Sequence, residues 1–122
     1  MTTTILPSRN EARGFFGTMQ RAGADPTQAW NAASAMIAAA TDASPEGVRD
    51  FLDSRHGRHF ADDVTNELAK GRGLEDAIEA AVARWMGWRI DRRTNREEGI
   101  PAELPYLTGW VTHFQILDEM QA

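Results

Sequence analysis

The stretch FLDSRHGRHFADDV, Phe51 to Val64, decides how this chain divides into helices. On a helical wheel at about 100° per residue, Phe60, Val64 and Leu68 point one way. Val48, Phe51 and Leu52 average nearly the opposite direction. One straight helix would need apolar partners on both sides. A break near Gly57 is simpler, because glycine tolerates a turn and costs a helix interior about 1 kcal/mol. The reading is therefore two helices meeting at a corner, Arg55 to His59. Asp62 and Asp63 then fall in the first turns of the second helix, where carboxylates favour the dipole. Arg58 with Asp62, and Arg55 with His59, are spaced for surface pairing.

The same stretch holds a second reading. If the second helix begins before Gly57, then His56, His59 and Asp63 share a face. Imidazole and carboxylate are legitimate metal ligands, and the same groups can exchange protons. The spacing lacks the H-E-x-x-H pattern and no fourth ligand is visible, so no metal or cofactor is assigned. A metal-dependent or acid–base enzyme centred on these three residues is kept only as an alternative.

Working outward, capped helices recur. Ser8 with Glu11 makes a capping box for a helix running to about Ala22. Asp25-Pro26-Thr27-Gln28 opens a second, with Trp30, Ala33 and Ile37 inward. Ser44-Pro45-Glu46 opens a third. Leu74, Ile78, Ala81, Val82 and Trp85 carry a further stripe to at least Met86, and Trp88 stays on it if the helix passes Gly87. Arg89 to Pro105 holds Gly99, Pro101 and Pro105 and reads largely as loop, with Thr94 and Glu97 spaced to cap one short turn. Leu107, Trp110, Val111, Phe114 and Leu117 then fit one helical face. WVTHFQI also alternates, so a C-terminal strand or hairpin is the alternative.

The expected fold is all-α: residues 1–122 as one compact domain of five to six short helices around a core with four tryptophans. A length of 122 residues suits one domain with a self-sufficient core. The chain has no cysteine, which removes disulfides, thiolate metal sites and cysteine nucleophiles. The N-terminus has no signal-peptide pattern, and the most apolar window, Ala29 to Ala40, is too short to span a bilayer. The expected setting is the cytoplasm, without a membrane partner.

Net charge is −5, which counts against generic duplex-DNA binding. Against that balance, Arg84, Arg89, Arg92, Arg93 and Arg96 crowd together, with Trp85 and Trp88 between them. Arginine beside tryptophan can stack, bind phosphate or grip a carboxylate. These arginines either pair with Asp91, Glu97, Glu98 and the acids of the fourth helix, or serve a partner. Nucleotide-binding loops and nucleophile elbows are absent.

Three phrases carry a resemblance: VRDFLDSRHGRHFADDV, AVARWMGWRIDRRT and GIPAELPYLTGWV. Together they resemble a family of small uncharacterised proteins carried on proteobacterial plasmids and integrative conjugative elements. The resemblance covers about Ser44 to Ile116 and implies no activity and no site residue. It implies a context, an accessory protein of a mobile genetic element. The expected function is non-enzymatic protein binding. The expected surface joins Arg55, His56, Arg58 and His59 at the corner to Arg89, Arg92, Arg93 and Arg96. Nucleic-acid binding through residues 84–96 is the runner-up.

Overall fold

The computed structural model describes residues 14–98 and 103–121, apart from the side chains of Thr94, Asn95 and Glu98. The described part is all-α. Its helices are α1 (Phe15–Arg21), α2 (Pro26–Thr41), α3 (Pro45–Asp53), α4 (Arg55–Ala69), α5 (Leu74–Gly87), α6 (Arg92–Glu98) and α7 (Tyr106–Gln121). The expected capping box at Ser8 and Glu11 lies outside the described residues. Among the described residues, no helix is long and apolar enough to cross a membrane.

Local chemistry sets the boundaries. Asp25 accepts from the Thr27 and Gln28 N–H groups, both at 3.1 Å, and Pro26 starts α2. Ser44 accepts from the Gly47 N–H at 3.2 Å, and Pro45 starts α3. Each cap satisfies donors that the first helical turn leaves without an intrahelical acceptor. Gly71, at φ +94, follows the end of α4 in a backbone conformation that suits glycine.

The break inside Phe51–Val64 exists, but at Ser54 and not at Gly57. The Ser54 hydroxyl donates to the Phe51 carbonyl at 2.6 Å and accepts from the Gly57 N–H at 3.3 Å. One side chain thus ends α3 and begins α4, with its backbone extended at φ −82, ψ 174. Gly57 lies inside the first turn of α4, and a Cβ there would run into the Leu52 carbonyl. Its role is close approach of two backbones. The earlier start also moves Asp62 and Asp63 out of the first turn, which holds no acid.

Five rings form the centre. Phe15, Trp30, Phe51, Phe60 and Trp85 come from α1 to α5, one from each helix, and all are buried. Phe60 touches Phe15, Phe51 and Trp85 with centroid distances of 6.0, 6.1 and 5.6 Å. Such tilted and edge-on pairs add roughly 0.5–1.5 kcal/mol each beyond their burial. The Trp85 indole N–H donates to Asp63 Oδ2 at 2.6 Å, so the one polar atom of this central ring has a partner.

The C-terminal segment is helix, not strand. Leu107 and Val111, one turn apart, bury fully, and α7 lies along α3 in the most extensive helix–helix contact of the fold. Among the described residues, the β character is one bridge between Arg89 and Pro105. The core holds Trp30 and Trp85 but not all four tryptophans. α5 ends at Gly87, Trp88 is extended at φ −84, ψ 152, and its ring leaves the stripe to stand 46 % exposed. Trp110 is half-buried at the edge of the core.

Candidate functional site

The corner and the arginine segment are joined by rings. At the segment, the Tyr106 N–H donates to the Trp88 carbonyl at 2.7 Å, holding the start of α7 against the end of α5. Trp88 and Tyr106 meet nearly edge-on, with centroids 6.0 Å apart. Tyr106 meets Trp110 at 6.3 Å, one turn further along α7. Trp110 carries the His56 imidazole stacked on its indole, centroids 3.7 Å apart and planes inclined by 22°. The band Trp88–Tyr106–Trp110–His56 therefore runs from Arg89 to Arg55, and each of its members retains some exposure. Arg55, Arg58 and His59 are exposed beside its far end.

His56 is the chemically unusual member. Its Nδ1 and the Trp110 Nε1 are buried, and neither has a hydrogen-bond partner among the described residues. Burial, then the neighbouring Arg55, His59 and His113, push its pKa from 6.5 down to about 4. His56 is thus a neutral aromatic ring at neutral pH. It behaves as a packing surface with a polar edge.

Most arginines of the segment are compensated. Arg89 donates to the Glu103 carbonyl at 3.0 Å, and Arg92 pairs with the Glu103 carboxylate. Arg93 reaches Glu97 at 3.2 Å, while its N–H donates to Asp91 Oδ1 at 2.8 Å at the start of α6. The expected Thr94 cap involves a side chain outside the described residues. Arg84 lies 3.7 Å from Asp63 and 3.5 Å from Glu67 on α4. Glu67 is itself buried and also meets Lys70 at 3.1 Å and Arg72 at 2.8 Å. The hydrogen bond from Lys70 leads in holding its carboxyl below the usual range. Arg96 is exposed.

The alternative triad of His56, His59 and Asp63 is not assembled. α4 does start before Gly57, yet His56 turns to Trp110 and Asp63 turns to Trp85 and Arg84. Among the described residues no cluster of three histidines or acids is placed to hold a metal ion. The expected pair of Arg58 and Asp62 does not form among these residues either.

Two participants escape a reading by spacing. Glu103 serves both Arg89 and Arg92, and the backbone pairing around Arg89 and Pro105 brings it there. Tyr106 connects the two halves of the band. The one signal for it was its position before a helical stripe.

Comparison with protein families, curated proteins and solved structures finds no match to this chain.

Proposed function

We propose that the chain is a non-enzymatic protein-binding accessory protein of a mobile genetic element. The partner docks on the aromatic band, with Arg55, His56, Arg58 and His59 at one end and Arg89, Arg92, Arg93 and Arg96 at the other. The observation that carries this reading is the continuity of the band, from exposed Trp88 through Tyr106 and Trp110 to His56. Tryptophan, tyrosine and arginine are the residues that most often anchor protein interfaces.

The pairing of the arginines favours protein over nucleic acid. Affinity for a phosphate backbone rests on uncompensated cations that release counterions. Here Arg84, Arg92 and Arg93 already face carboxylates, and the chain as a whole is acidic. A carboxylate partner can instead share an already organised arginine, because the guanidinium has five donors.

The test is affinity capture from host lysate with the full chain as bait, followed by mass spectrometry. A specific partner should be recovered by the wild type and lost with Trp88→Ala and with Arg55→Ala combined with Arg89→Ala. Equal recovery by all three baits rules out this surface.

A second reading has one observation in its favour, the exposed Trp88 ring between Arg84 and Arg89, which suits base stacking on single strands. It requires binding of an oligonucleotide at low salt that weakens steeply as salt rises. Absence of any binding at low salt ends it.

A further inference from the structure

A second surface lies between α3 and α7, apart from the aromatic band. It is a cleft of about 290 Å³, lined by Asp50, Asp53 and Ser54 on one side and by Phe114, Leu117 and Asp118 on the other. Its apolar side is continuous with the core through Phe114 and opens to solvent at Leu117, 37 % exposed. Met120, one turn beyond, is 76 % exposed. These are two of the three large apolar side chains that stand exposed among the described residues, and they sit on one short stretch of α7.

The polar side of the cleft is strongly acidic. Arg49 pairs with Asp50 at 3.0 Å and also lies in the field of Asp118 and Asp53. One guanidinium thus lies among three carboxyl groups, and Glu46 adds a fourth negative charge at Asp118. Asp118 Oδ2 is buried and takes no hydrogen bond from a described residue. Its carboxyl shares a hydrogen bond with Asp50 and is further burdened by burial and by the Asp50 charge, which raise its pKa to about 6.

We propose that this cleft docks a cationic amphipathic segment of a partner protein. An apolar side chain seats between Phe114 and Leu117, and a lysine or arginine joins Asp50 and Asp118. Charge complementarity selects this occupant. Anionic nucleic acid is repelled by the rim, and a second copy of the chain would bring a further net charge of −5 to it. A fixed cation beside Asp118 lowers that carboxyl's pKa, so docking near pH 6 expels a proton. This coupling separates docking in the cleft from general attraction to an acidic protein.

The test is calorimetric titration of the full chain with a short amphipathic leucine–lysine peptide at pH near 6. Buffers of different ionisation enthalpy count the protons released. The expected result is saturable one-to-one binding with proton release. Asp50→Asn combined with Asp118→Asn should weaken binding about tenfold or more and abolish the release. Leu117→Ser should also weaken binding. Trp88→Ala, and Glu75→Gln with Asp76→Asn on α5, should leave it unchanged. Absence of saturable binding, binding without proton release, or equal loss in the α5 variant overturns the proposal. So does a concentration-dependent dimer in sedimentation that Leu117→Ser dissolves, since the cleft would then belong to self-association.

Discussion

The imidazole of His56 lies on the indole of Trp110 with ring centroids 3.7 Å apart. The contact links the first turn of α4 to the second turn of α7. Burial sets the folded pKa of His56 at about 4, below the ordinary 6.5. The unfolded chain therefore takes up this proton first as pH falls. Stability from the stack is complete above about pH 6.5 and is lost between there and about pH 4. The loss should reach about 2 kcal/mol once solvent screening is discounted. Urea denaturation at neutral pH and near pH 4 measures it. His56→Phe keeps a stacked ring and should remove this part of the pH dependence. Identical acid sensitivity in the wild type and the variant would contradict the stack's role.

Asp118 carries the opposite sign. Its folded pKa is raised from 3.8 to about 6, so the folded state holds this proton more tightly than the unfolded chain does. The associated stability is present below about pH 3.8 and disappears as pH rises through about 6. Asp118→Asn keeps the shape and removes the charge. It should stabilise the fold at neutral pH by about 1 kcal/mol after allowance for screening. The gain should vanish in acid, and a variant no more stable than wild type at neutral pH counts against the Asp50–Asp118 strain.

Gly57→Ala provides a test by sign alone. In an ordinary helix interior the change stabilises by about 1 kcal/mol. Here the new methyl meets the Leu52 backbone, so the variant should lose about 3 kcal/mol in chemical denaturation. A more stable variant would show that α3 and α4 do not meet as described.

Asp63→Ala removes the acceptor of the Trp85 indole N–H, which is held at 2.6 Å. A buried donor left without a partner costs about 2 kcal/mol. Asp63→Asn retains an acceptor oxygen and should lose less than half of that. Equal losses for the two would locate the effect in the charge facing Arg84.

Local signals were legible in the sequence and long-range ones were not. Asp25 and Ser44 cap their helices as their spacing predicts, and the wheel correctly demands two helices within Phe51–Val64. It misplaces their boundary because glycine reads as a turn former, whereas Gly57 is small for the sake of a neighbour's backbone. That reason belongs to packing and leaves no periodic trace. Pairing of Arg93 with Glu97 follows from helical spacing, while pairing of Arg92 with Glu103 depends on the bridge between Arg89 and Pro105. The band joining the corner to the arginines was not legible either. It needs Trp88 to leave the α5 stripe, and α7 to lie where Trp110 meets His56.

The Leu52 carbonyl is crowded by two glycines, Gly57 of α4 and Gly14 before α1, and at each a Cβ would strike backbone. Gly73 and Gly87 face open space. In a saturation library these four glycines should therefore separate into two classes. Positions 73 and 87 would accept many replacements. Positions 14 and 57 would accept none without a compensating shift of α3, so the point where three helices meet is also where the chain has least freedom to change.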